Sequence, residues 1–386
     1  MSRAEDELVA RVGLARVVEP GNRAVARALE QRAAADVWEA VRSGAGLDQL
    51  GQQALDGIAS RAAGYDPRRD LDRVRALGGR VVVPGDLEWP TRLAWGVDEM
   101  AGDVKELAPP WALFLRGAVP LVEAAERSVA LVGARAASPY GVHVAGELAF
   151  ALSEAGWSVI SGGAFGIDAA AHRGALAARR APTVAVLACG LDVVYPRAND
   201  RLLSQVAQEG LLVSEVPPGS APTRVRFLVR NRLIAALSLG TVVVEAAYRS
   251  GSLSTATRAN EIRRQVMAVP GPVTSATSAG CHEWIRTGRA ALVTSAAEVL
   301  ELLGSAGEHL LVKPAARTDP RDGLSETVRR VLDAVPVRTP AGVASIARSA
   351  GVSALVVQQV MPSLLLAGLA EHVDGAWRLT ALGAGR

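Results

Sequence analysis

The chain has 386 residues, 49% of them hydrophobic, which is enough for two or three globular domains with real cores. Its net charge of +3 is compatible with an anionic partner but far from that of a histone or a polybasic arm. Lys105 and Lys313 are the only lysines, so arginine carries almost all of the positive charge.

Residues 1–65 place apolar side chains at helical spacing, as at Leu8, Val12 and Ala15, with EPGNR at 19–23 ending one helix and capping the next; this predicts a small helical domain. A helix, a glycine pair, the strand Val81–Val83 and a proline turn then lead into an α/β domain spanning 66–303. Within it, six short runs recur: SVALVG (128–133), WSVISG (157–162), TVAVLAC (183–189), GLLVSEV (210–216), GTVVVEA (240–246) and RQVMAVPG (264–271). Each is apolar on both faces, as a parallel strand covered by helices on both sides must be. The intervening stretches are long enough for crossover helices, 140–156 being one, so the fold class is α/β with a Rossmann-like, doubly wound, mostly parallel sheet. Residues 304–323 are rich in small, polar and proline residues and read as a linker. In 324–386, helices at 325–334, 341–349 and 353–367 precede a strand, an Asp-Gly turn and a strand, the pattern of a winged helix. Its second and third helices carry few basic residues, which points to protein contact or a structural role more than to DNA reading.

Cys189 and Cys281 lie far apart without CxxC spacing, so neither a disulfide framework nor a zinc site is indicated. The N-terminus lacks a signal-peptide core and no apolar run reaches the roughly 20 residues of a membrane span, so a cytoplasmic protein without membrane contact is expected.

In an open parallel sheet the ligand crevice lies beyond the carboxyl ends of the strands. There SGGAFGIDAAAH (161–172) supplies Gly162, Gly163 and Gly166 just before a helix, where bare backbone N–H groups could face an anion; a tight turn serving packing alone is the equal alternative. The other strand ends add Gly133, Arg135 and Ser138 from GARAAS, Arg197 from YPRAN, and Arg224, Phe227, Arg230, Asn231 and Arg232 from TRVRFLVRNR. YRSGSLSTA adds Ser250, Gly251, Ser252 and Thr255. Several cradles and arginines in one row suit a ligand with several phosphates, and a single nucleic-acid strand stacking a base on Phe227 fits better than a mononucleotide.

Cofactor chemistry has little support. A dinucleotide fingerprint would need glycine where Ser161 stands, no Walker lysine occurs, and Ser161 lacks a GxSxG elbow. Asp168 and His172 read as a helix cap and a packed histidine, while Glu215 and Glu245 read as loop or arginine partners rather than a catalytic pair. His143, His282, His309 and His372 show no metal-ligand spacing. No catalytic residue, cofactor or metal is therefore expected.

VALVGARAASPYG, SGGAFGIDAAAHRGAL, VLACGLDVVYPRAN, LLVSEVPPG, FLVRNRLIAALS, VVVEAAYRSGSLSTA and VMAVPG, in this order, resemble the DNA-processing protein A family, also called Smf. The resemblance is dense over roughly 66–300. It implies a non-enzymatic homodimer that binds single-stranded DNA and helps load the RecA recombinase in natural transformation or other recombination. It also implies phosphate contacts at Arg135, Arg197, Arg224 and Arg230-Asn231-Arg232, a base stacked on Phe227, and dimer contacts near 282–292. The chain departs from the family pattern at Ala134, where GSR is usual, at Gly163, where leucine commonly stands, and at Leu228, where FP usually precedes RNR. The rival from another class is a nucleotide phosphoribohydrolase-like enzyme, whose PGGxGTxxE signature is absent.

Overall fold

The computed structural model describes residues 3–44, 47, 50–93, 108–305, 308–309 and 323–384. All six runs form strands: β3 (Ser128–Val132), β4 (Ser158–Ser161), β5 (Thr183–Leu187), β6 (Leu211–Ser214), β7 (Gly240–Val243) and β8 (Gln265–Ala268). Before them stand β1 (Gly79–Val82), expected from the Val81–Val83 run, and β2 (Leu113–Arg116); after them comes the two-residue β9 (Ala291–Leu292). The nine make one sheet ordered β1-β2-β6-β5-β4-β3-β7-β8-β9, antiparallel from β1 to β6 and parallel from there on.

Alternate residues of each parallel strand serve different cores, which is why the runs are apolar throughout. Val129, Leu131 and Val242 pack under the helices Pro139–Glu154 and Ile167–Ala178. Ala130, Val132 and Val243 face Leu233, Ile234 and Leu237 of the helix Arg224–Leu237. A third cluster joins Leu14 and Val37 of the N-terminal helices to Phe114, Leu187 and Leu212 of the sheet. Arg16 anchors this junction, donating to Asp70 at 2.8 and 2.7 Å and to the Pro218 carbonyl at 2.6 Å.

The chain divides into two compact units, Met1–Leu311 and Val312–Arg386. Most of the expected linker 304–323 lies outside the described residues. In the second unit, the helices Glu326–Ala334, Val343–Ala350 and Ala354–Leu366 enclose Val331, Leu332, Ile346, Val357, Met361 and Leu364. The hairpin β10 (Ala370–Val373) and β11 (Ala376–Leu379) turns on Asp374 and Gly375, with φ of 48° and 80°, the conformation an Asp-Gly pair accommodates. Among the described residues no single helix is long and apolar enough to cross a membrane.

The helices Pro139–Glu154 and Ile167–Ala178 approach closely because glycines meet: a Cβ on Gly174 would lie 2.2 Å from the Gly146 carbonyl oxygen. Gly174→Val should therefore lower stability by about 3 kcal/mol, an overpacking cost that backbone cannot relieve. Denaturant midpoints of this variant and the parent check it.

Candidate nucleic-acid interface

The strand order reverses between β3 and β7, so the loops that follow these strands leave in opposite directions and open a crevice at their carboxyl ends. A groove of about 960 Å³ occupies it. Its walls come from Gly133, Ala134 and Arg135 after β3, from Ala247 and Arg249–Ser252 after β7, and from the first turns of Arg224–Leu237. The helix Ser252–Glu261 points its N-terminus into it, with Ser250 and Ser252 hydroxyls 2.7 Å apart at its mouth.

One carboxylate joins the walls. Glu245, 1% exposed, accepts from the Ser138 amide at 2.9 Å, the Ser138 hydroxyl at 2.7 Å and the Thr277 hydroxyl at 2.9 Å. Its backbone carbonyl accepts the Ala134 amide at 2.7 Å. Ser138 thereby serves as the N-cap of Pro139–Glu154 and as a strut behind the groove, not as part of its lining.

On the floor, the half-buried Phe227 carries the Arg135 guanidinium 4.8 Å above its ring centre, with Tyr195 beside it at 5.4 Å and 53°. The neighbouring Arg230 is buried and donates to the Gly162 and Val186 carbonyls. Burial lowers its pKa to about 10, with Asp168 opposing the shift and Arg135 adding to it, so it is a cation at neutral pH. Arg135, Arg224, Arg230 and Arg249 line the groove against a single carboxylate, Asp168, which gives it a positive field.

Of the residues expected from sequence, Gly133, Arg135, Arg224, Phe227, Arg230, Asn231, Ser250, Gly251, Ser252 and Thr255 come together along the groove. Gly162, Gly163 and Gly166 do not line it, which corrects the reading of 162–166 as a cradle for an external phosphate. The Gly162 and Ala164 amides donate to Asp168 Oδ2 at 3.2 and 3.3 Å, so the anion they hold is the chain's own. Gly162 is bare because a Cβ would lie 2.4 Å from the Arg230 guanidinium, and Gly166 because its φ is +73° and the Ala134 carbonyl passes 2.2 Å from where a Cβ would sit. Arg197 does not join the groove residues: it is exposed on the short Arg197–Asn199 turn, outside the lining.

The largest correction is Arg232. It is 1% exposed, donates to both oxygens of Glu215 at 2.7 and 2.6 Å and to the Ala108 carbonyl at 2.8 Å, and contributes nothing to the groove. Glu215 thus orients an arginine, as one of the two sequence readings had it; Asp168 is not the helix cap expected of it, since the N-cap is Gly166 without a side-chain bond and Asp168 accepts from the Gly162 and Ala164 amides of the preceding loop. His172 is packed, its Nδ1 2.7 Å from the Thr183 hydroxyl, with burial pulling its pKa down to about 3. Sequence reasoning missed Tyr195, Thr223, Leu228 and Arg249 in the lining. Tyr195 and Arg249 stand inside quoted strand-end loops, and an aromatic or arginine there was the available signal.

Glu215→Gln should destabilise the protein by about 3–5 kcal/mol, because it leaves the Arg232 charge buried and unpaired. Thermal or denaturant unfolding measures this; a loss below about 1 kcal/mol would contradict the pairing.

The family model of DNA recombination-mediator protein A matches residues 80–304. A putative DNA processing protein DprA of Mycobacterium tuberculosis H37Rv is 42% identical over 380 residues, 97% of this chain and 94% of its own. Protein Smf of Synechocystis is 30% identical over 362 residues, 85% of this chain and 87% of its own. The X-ray structure of DNA processing protein A from Streptococcus pneumoniae aligns with a TM-score of 0.59 at 29% identity, covering 78% of this chain and 96% of that one. With the groove, its strand order and its arginines carried on the matched residues, the chain belongs to the DNA recombination-mediator protein A family.

Proposed function

We propose that the groove binds single-stranded DNA without regard to sequence, and that the protein acts as a homodimer that helps load the RecA recombinase. The observation that carries this reading is the pairing of a stacking face with cations. Phe227 lies beneath Arg135 and beside Tyr195 in a channel that Arg224, Arg230 and Arg249 border. A base has a π-face whatever its identity, and a backbone presents phosphates at regular intervals, so such a channel suits a strand of any sequence. The groove's one carboxylate is engaged by backbone amides and Glu245 by hydroxyls, which favours binding over nucleotide hydrolysis.

The proposal assigns phosphate contacts to Arg135, Arg224 and Arg230 with Arg249 added, base stacking to Phe227, and hydroxyl and amide contacts to Ser250–Ser252 and Thr255. Asn231 contributes by holding the Gly251 carbonyl at 3.4 Å. The domains we assign are helical 1–65, sheet 66–303, linker 304–323 and winged helix 324–386, the last as a contact surface for protein. The dimer contact is assigned to 282–292, which includes the edge strand β9 and the half-exposed Leu292.

Binding to oligothymidylate should weaken steeply with salt, and Arg135→Ala should shrink the log–log slope by about 0.7, the share of one phosphate on a single strand. Phe227→Ala should cost about 1–3 kcal/mol with the slope unchanged. Fluorescence anisotropy across a salt series reads both; an Arg135→Ala protein that binds like the parent at every salt concentration would refute the groove as the binding site.

A further inference from the structure

The turn that presents Phe227 stands clear of the cores. The helix Arg224–Leu237 is buried only from Val229 onward, and every residue from Ala221 to Leu228 is exposed or half-buried. Thr223 caps the turn, accepting the Arg226 amide at 3.2 Å, but that bond ties the turn only to itself. Among the described residues, the hydrogen bonds from 221–228 to another element are those of Arg226. Its Nε and Nη2 donate to the two carboxylate oxygens of Glu19 at 2.9 and 2.7 Å, while its Nη1 donates to the Ala221 carbonyl at 2.8 Å. Glu19 stands between the first two helices of the helical domain, Arg3–Val17 and Arg23–Gln31. Three residues earlier, Arg16 holds the Pro218 carbonyl of the loop that leads into the same turn.

We propose, resting on the reading of the groove as a single-strand site, that Glu19 is a positioning residue: through Arg226 it fixes the turn that presents Phe227, so the helical domain shapes a site it does not line. The contact is a fork, two N–H groups of one guanidinium on the two oxygens of one carboxylate, which adds direction to charge. The Arg226 side chain is 18% exposed, lies outside the groove's lining and has all three nitrogens engaged, so it acts as an anchor and not as a further phosphate contact. Phe227 follows it directly and must meet the Arg135 guanidinium of the opposite wall at 4.8 Å. Glu245 places that cation, and Glu19 places the ring. An acid at this point is otherwise a liability, because a carboxylate bonded to the residue beside Phe227 opposes a polyanion by its charge. Were charge its whole contribution, removing Glu19 would tighten binding; removing a brace loosens it. The sign of the effect separates the two.

The test compares the full chain with Glu19→Ala, Phe227→Ala and the double variant, titrating oligothymidylate at low salt and at a temperature where all four are folded. Glu19→Ala should weaken binding about 3-fold, the order of effect that one well-formed surface pair can transmit. The log–log salt slope should not shrink, because no phosphate contact is lost. In the Phe227→Ala background the same substitution should leave affinity unchanged or slightly raised, since the ring it positions is already gone. Unchanged or tighter binding by Glu19→Ala in the parent overturns the assignment, as does an equal loss in both backgrounds, which would mark a general loss of structure. Should Phe227→Ala bind like the parent, the groove reading falls and takes this one with it. Should Phe227→Ala weaken binding while Glu19→Ala does not, the role of Glu19 alone is refuted.

Discussion

The groove depends on one buried carboxylate. A sheet whose strand order reverses sends its neighbouring loops apart, and nothing in that topology fixes how far they separate. Glu245 fixes it, gripping the loop after β3 through Ser138, the turn at Thr277 through its hydroxyl, and Ala134 through its own backbone. The grip is close enough that residue 141 must be glycine, since a Cβ there would fall 2.2 Å from Glu245 Oε2. Arg135 follows Ala134 directly, so the cation over Phe227 is placed by the same contact that closes the loops.

Charge inside the sheet edge follows a similar logic. Arg230 and Arg232 are two apart on one helix, and 100° per residue turns them to roughly opposite sides. Arg230 points to the strand ends, where carbonyls of Gly162 and Val186 receive it and Asp168 lies close enough to favour its charge. Arg232 points to β6, where only a bidentate carboxylate makes its burial tolerable. One three-residue motif therefore supplies a groove cation and a structural ion pair.

The architecture was legible because buried parallel strands need apolar residues on both faces, and the six runs from 128 to 271 have them. β2 was not read because WALFLR, though bounded by Pro109-Pro110 and Gly117, has no alternation, and a short apolar run cannot be told from a buried helix segment by periodicity; β9 was not read because two residues leave no period. The arginines and Phe227 of the groove were legible from their places at strand ends. The glycine loop was misread because an amide-rich turn looks alike whether it awaits a ligand or holds an aspartate four residues on; Asp168 in the first helical turn was the sign that the site was already filled. Arg232 was misread because helical phase was not applied to the triplet.

The resting arrangement also constrains how a strand could enter. With Arg135 stacked 4.8 Å over Phe227, no base fits between guanidinium and ring, and Tyr195 closes one side. On the proposed reading an incoming phosphate competes with the ring for Arg135. A charge-assisted, bidentate bond to phosphate is the stronger of the two attractions, so the guanidinium leaves the ring and exposes the face on which a base then stacks. Arg230 cannot move in the same way, because its carbonyl partners belong to β5 and the loop after β4, and it stays as the fixed charge beneath. Ring and cation thus protect each other until the ligand arrives, which keeps an aromatic face from standing open to water while the walls that Glu245 holds need no rearrangement.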